Sequence, residues 1–249
     1  MVRDLLRTVL CGAVVSFGQS KPPAFEVASI RAHPGPLSRI ADFRASGPRL
    51  SLDGYSAYLL ILEAYDVKNY QVAMASSNLP ANDYYDIAAK AEGDGFPTRG
   101  QFREMLKTLL TDRFGLKIHR EMRELPVYEL TVDKNGPRLK PAGTDGKCAS
   151  LIGPVQPEDR NYRYQFTNCT LSSLVDRLQA NRPILDKTGL TGRYDIMMFA
   201  TPDFKLRNSS EPGDISPLDA VRQLGLKMES KKDNIEVIVV DHLEKPSQN

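Results

Sequence analysis

The chain has 249 residues, 41% hydrophobic and 26% charged, with 33 basic against 31 acidic side chains and a formal net charge of +2. That balance excludes a disordered chain, and the interspersed signs exclude the basic stripe of a nucleic-acid binder or an acidic tail. Tryptophan is absent, so stacking on a sugar or base would fall to the ten tyrosines.

Residues 1–20 read as a secretory signal peptide. Arg3 and Arg7 make a short basic region, Thr8 to Phe17 is mostly apolar, and Gly18-Gln19-Ser20 puts small residues before a cut at Lys21. The apolar run is about half the ~20 residues of a spanning helix, and Lys21-Pro22-Pro23 breaks it, so no membrane span remains once it is removed. Removal also takes Cys11 and leaves Cys148 and Cys169. In an exported chain an even count favours one disulfide, worth on the order of 3 kcal/mol for a loop of about 20 residues; two unpaired thiols are the other reading. The expected location is secreted or periplasmic.

Along the mature chain, Phe25-Glu26-Val27-Ala28-Ser29-Ile30 alternates and is a strand, followed by Gly/Pro/Ser-rich chain from His33 to Pro48. Arg49 to Leu52 is a short strand and Ser56 to Tyr65 an apolar helix; Tyr85-Asp86-Ile87 lies on the next strand. Thr98 caps a helix whose Phe102, Leu106, Leu109, Leu110 and Phe114 recur at three- and four-residue spacing, and Gly115 ends it. Leu116 to Glu121 and Val127 to Asp133 then read as two strands joined at Glu124-Leu125-Pro126.

The same succession returns. Asp86 recurs as Asp195 within Tyr194-Asp195-Ile196, Gly115 as Gly225 and Asp133 as Asp241, at offsets of 109, 110 and 108 residues. In the second copy Thr170 caps a helix through Leu171, Leu174, Val175 and Leu178. Ser216-Pro217-Leu218-Asp219 opens the other helix, and Lys231-Lys232-Asp233-Asn234 is a turn between two strands. The fold expected is α+β, with two tandem repeats of a small β-α-β-α-β-β unit, each a sheet covered by two helices. The boundaries are 1–20 for the signal, 21–140 for the first unit, 141–160 for a linker and 161–249 for the second.

No residue is assigned as catalytic, and no cofactor is expected. Nucleophile elbows and phosphate-cradling loops are missing. Asp186 to Gly192 imitates a nucleotide loop but lacks its Gly-Lys-Thr element, and reads as a tight turn. His119 and Glu121 form H-x-E on one face of a strand, yet a metal needs a third ligand that the spacing does not supply, so no metal site is entered. His242 reads as a polar surface residue. Asp86 and Asp195 evoke paired carboxylates, but equivalent positions keep one residue for one structural reason, such as bonding neighbouring backbone amides. The candidate binding residues are Tyr55, Tyr58 and Tyr65 on the first helix and Arg120, Arg123 and Tyr128 around the first strand pair. Core packing for the tyrosines, and a solvated strand edge for the arginines, are the alternatives.

The runs Met105 to Glu121, Glu124-Leu125-Pro126-Val127-Tyr128, Asn135-Gly136-Pro137, Asp186 to Asp195 and Val240 to Pro246 resemble an uncharacterised, soil-associated family of exported bacterial proteins. The likeness spans nearly all of the mature chain. It implies export, a relation to proteins numerous in Acidobacteria, and a module also found joined to membrane metallopeptidase sensors; it carries no catalytic residues. Ser216 to Asp241 is similar to the short N-terminal domain of secretins and TonB-dependent receptors. The functional expectation is an exported, non-catalytic binding or sensing module for a peptide, glycan or protein partner. An extracellular hydrolase and a structural or envelope-assembly protein are the alternatives.

Overall fold

The computed structural model describes residues 22–34, 42–143, 146–178, 180–208 and 211–247; the expected signal peptide lies outside them. In chain order the elements are β1 (Phe25–Ala32), β2 (Asp42–Ser46), β3 (Arg49–Ser56), α1 (Ala57–Tyr65), β4 (Val72–Met74), β5 (Tyr84–Ala91), α2 (Arg99–Phe114), β6 (Lys117–Val132) and β7 (Lys140–Pro141). They continue with β8 (Ala149–Pro154), β9 (Tyr162–Cys169), α3 (Leu171–Val175), β10 (Ile184–Asp186), β11 (Tyr194–Ala200), α4 (Asp203–Asn208), α5 (Pro217–Ala220) and β12 (Leu226–His242). The chain divides into two compact units. Of the described residues, the first holds those within 22–67, 78–117 and 242–247, and the second those within 68–77 and 118–241.

In the first unit an antiparallel sheet runs β1-β5-β3-β2. Alternation along β3 and β5 buries Leu50, Leu52, Tyr85, Ile87, Ala89 and Ala91 and turns Ser51, Asp86, Ala88 and Lys90 the other way. The two helices complete that core. Ser56 caps α1 by accepting the Leu59 N–H at 3.2 Å, and α1 buries Leu60, Ile61 and Ala64. Thr98 and Gln101 form a capping box on α2, which buries Phe102, Leu106, Leu109, Leu110 and Phe114. Each large side chain so buried contributes roughly 1.5–3 kcal/mol, and Phe114 also meets the Tyr85 ring edge-on at 5.4 Å.

The second unit contains two sheets. One is antiparallel, in the order β7-β11-β9-β8. Its inner face packs Tyr164, Phe166, Ile196 and Met198 with Leu171 and Leu174 of α3 and with Val221 and Leu224 of the 3-10 turn that extends α5. Cys148 and Cys169 are joined by a disulfide, so the thiol alternative is set aside. The stretch 141–160, expected as a linker, contains β8, paired along β9.

The other sheet, β10-β6-β12-β4, departs from expectation. Glu124-Leu125-Pro126 and Lys231-Lys232-Asp233-Asn234 do not turn: each lies inside one long strand, β6 or β12. These two strands are neighbours, and His119–Asp241, Arg120–Glu236 and Glu124–Lys232 contacts show that they run in opposite directions. Each supplies the other with the partner that a local hairpin would have supplied, so turn propensity at either site is overridden by a long ladder and its charge pairs. The edges are reciprocal too. β10 joins β6 in parallel with Ile184 opposite Tyr128, and β4 joins β12 in parallel with Ile238 opposite Val72.

Gly225 ends the 3-10 turn with φ 68° where the Asn135-Gly136-Pro137 segment closes over it. A Cβ there would overlap the Gly136 carbonyl oxygen and lie 2.9 Å from the Arg138 nitrogen. Gly115, with φ 58°, faces only the flexible end of Glu244 at 3.4 Å. Gly115→Ala should therefore cost about 1–2 kcal/mol, the left-handed penalty alone. Gly225→Ala should cost clearly more, because backbone must also move; urea unfolding of the two variants side by side checks this ordering.

Candidate functional site

The two antiparallel sheets share one local device. Between Leu52 and Tyr55 the register of β3 slips by one residue against β5, and between Phe166 and Cys169 that of β9 slips against β11. Each bulge contains a residue with left-handed backbone, Gly54 at φ 67° and Asn168 at φ 53°, the residue types that adopt it most readily. Opposite each bulge stands the recurrent aspartate. Asp86 accepts the Gly54 N–H at 2.9 Å and Asp195 accepts the Asn168 N–H at 3.0 Å. Both acids thus hold backbone amides, the structural role weighed for them against catalysis.

Only the first unit adds a histidine. His33, just beyond β1, bonds Asp86 through Nδ1 at 2.7 Å. Burial opposes charge on Asp86, but the Gly54 amide and His33 outweigh it and hold the carboxyl below its ordinary value. An ionised carboxylate only accepts, so Nδ1 carries a proton, and the neutral form of the imidazole presents Nε2 as an acceptor. His33 lines a cleft of about 600 Å³ shared with Asn82, Asp83, Tyr84, Lys245 and Ser247. Lys245 and Asp83 pair at 3.0 Å, and Ser247 is held by Arg113 through both its hydroxyl and its carbonyl.

The six residues singled out in the sequence fall three to each unit. Tyr55 is buried on β3, while Tyr58 and Tyr65 are half-buried on α1, Tyr65 beneath the Lys107 ammonium. Burial raises the titration of Tyr55 and Tyr58. On β6, Arg120 pairs with Glu236, Arg123 with Glu121, and the Tyr128 ring lies under Arg182. His119 donates toward Asp241 and sits 3.7 Å from Glu121, and among the described residues no group of His, Cys, Asp and Glu is arranged to hold a metal. His242 pairs with Glu244. In the second unit Arg160 grips Asp214 bidentately and, with the Glu211 amide, holds that carboxyl far below the usual range.

Sequence reasoning did not single out the open face of sheet β7-β11-β9-β8. Leu151, Gln165 and Met197 are in register across β8, β9 and β11, and Gly153, Arg163 and Phe199 form the next row. Leu151 is 57% exposed, Met197 58% and Phe199 41%. The signal was present in β11, Tyr194–Ala200, which is apolar at nearly every position although only alternate residues face the core. β8 is the outer strand beside this face, and Phe199 is held in place because Gln223 bonds both its N–H and its carbonyl.

This chain is therefore an α+β protein built on two bulge-latched sheets. It belongs to the family described as Protein of unknown function (DUF3738), whose match covers residues 58–243. No curated protein and no solved structure matches it significantly. The resemblance to an uncharacterised family holds at that level.

His119 gives a pH dependence with a definite sign. The bond to Asp241, with further help from the Asp241 and Glu121 charges, raises its titration above the ordinary 6.5. A raised folded value means the stabilisation is whole below about pH 6.5 and is lost as pH rises through the folded value. Urea unfolding should show stability declining above about pH 6.5 in the wild type, less so in His119→Gln, with the difference shrinking in high salt because the pair is exposed.

Proposed function

We propose that this protein is an exported, non-catalytic recognition module that binds an extended peptide or protein segment on the open face and outer strand of its second unit. The observation that carries this reading is that Leu151 and Met197 in one row and Phe199 in the next are exposed on a sheet whose other face is a packed core. Exposed apolar side chains gathered on one sheet face mark interaction surfaces, and here Gln165 and Arg163 interleave them on the central strand. β8 is the edge strand of this sheet among the described residues, an edge to which an extended segment could pair. Export is supported by the Cys148–Cys169 disulfide and is compatible with the lack of any helix, among the described residues, long and apolar enough to cross a membrane.

We also read the two halves as duplicates whose last strands have exchanged. The matching sheet orders, the repeated Tyr-Asp-Ile latch and the reciprocal pairing of β4 and β10 all support that history. Recognition then falls where the halves differ rather than where they agree. The six tyrosine and arginine candidates take no part in this reading: Tyr55, Tyr58 and Tyr65 belong to the first unit, and Arg120, Arg123 and Tyr128 lie on β6, outside this sheet. The hydrolase alternative would draw on His33 and Asp86, but the aliphatic hydroxyl among the described lining residues, that of Ser247, accepts a bond from Arg113.

Peptides selected from a displayed random library against residues 21–249 test the proposal. Binders of the wild type should lose about tenfold or more in affinity to Leu151→Glu and to Met197→Glu, whose folding an exposed position should leave intact. Binders indifferent to both variants would contradict it.

A further inference from the structure

The bulge latch exists in two copies, and this allows one of its parts to be recognised as surplus. In the second unit Asp195 holds the Asn168 amide with no histidine beside it. The same bond, on the same Tyr-Asp-Ile motif, is made by Asp86 to Gly54. His33 is thus not required by the latch, yet it is fixed in direction by that latch at 2.7 Å and lines a cleft. Its Nε2 has no protein partner among the described residues.

The rest of the cleft restricts what could meet that nitrogen. Lys245 is paired with Asp83 at 3.0 Å and Asp86 stands behind the imidazole, so the named groups leave no excess positive charge to select a phosphate or a carboxylate. Instead donors and acceptors line it together: Nε2 as acceptor, the Asn82 amide as both, Lys245 as donor and Asp83 as acceptor. Tyr84 adds a ring that is 41% exposed, a large amount for an aromatic at the start of a strand. The volume, about 600 Å³, lies within the roughly 300–1,000 Å³ of small-molecule sites. Closely spaced hydroxyls above an apolar ring face are what this combination complements, since each hydroxyl both donates and accepts and the C–H faces of a pyranose stack on an aromatic ring.

We propose that the cleft at His33 and Tyr84 in the first unit is a binding site for a neutral, polyhydroxylated ligand, a short saccharide, with His33 Nε2 accepting one of its hydroxyls. This site is independent of the peptide face in the second unit, and either can stand without the other. Asp86 is a positioning residue: it sets the imidazole's tautomer and does not itself touch the ligand.

The test is a titration of residues 21–249 with cellobiose, N,N′-diacetylchitobiose and maltose, followed by NMR of the backbone amides and of the imidazole nitrogens. At least one of these sugars should shift the His33 ring nitrogens and the amides of residues 82–85 and 245–247, with saturation. Affinity should fall tenfold or more in His33→Ala and in Tyr84→Ala, and stay within twofold in Met197→Glu. Tyr84→Ala guards against misreading a folding defect, because an exposed ring can be removed without opening the core. The proposal is overturned if none of the three sugars perturbs these nuclei, if the perturbation survives both cleft variants, or if acetate and phosphate shift the ring where the sugars do not. Loss of peptide binding in Met197→Glu alongside intact sugar binding would separate failure of one site from failure of the other.

Discussion

A carboxylate holding a left-handed backbone amide is the constraint on which both antiparallel sheets depend. A bulge inserts one residue into β3 and one into β9, and each insertion leaves an N–H that the ladder cannot pair. Asp86 and Asp195 each take up that N–H. Without them the bulge would expose an unsatisfied donor beside a packed layer, at a cost comparable to a lost hydrogen bond. The bulge in turn bends the strand that leads directly into α1 or α3, and so sets where each helix begins over its sheet.

Much of this was legible in the sequence because local chemistry and tertiary demand agree there. Tyr-Asp-Ile recurs at an offset of 109 residues, both helix-ending glycines are left-handed, and Thr98 and Ser216 cap where their side chains suggest. What was not legible is pairing at a distance. Pro126 and the run Lys231 to Asn234 carry turn chemistry, and nothing local says that β6 and β12 would find each other instead of folding back. An exchanged ladder offers the same backbone bonds as two hairpins, so the choice rests on contacts such as Arg120–Glu236 and Glu124–Lys232, more than a hundred residues apart in sequence.

The candidate sites show the same division. Tyr55, Tyr58 and Tyr65 drew attention because aromatic rings at helical spacing are conspicuous, yet that spacing belongs equally to core packing; Tyr55 falls on β3 and is buried, and Tyr58 and Tyr65 are half-buried on α1. His33 stood in a Pro- and Gly-rich stretch with no motif around it. Its significance comes from Asp86, fifty-three residues away, and from the second copy of the latch, which does without it. Met197 and Phe199 were hidden by the apolar run that contains them, since a strand apolar on both faces reads the same whether its second face is covered or open.

The repeated latch thus acts as an internal control: what both sheets keep is structural, and what one adds is a candidate for function. The central claim is that the carboxylates are structural and His33 is an addition. Urea unfolding of Asp86→Ala, Asp195→Ala and His33→Ala measures it directly. Both aspartate variants should lose a similar amount, about 1–2 kcal/mol each for a charge-assisted bond whose Asp86 acceptor is 35% exposed and partly screened, and His33→Ala should lose well under half of that. A His33→Ala loss equal to that of Asp86→Ala would make the imidazole part of the latch and remove the reason for seeking a ligand there.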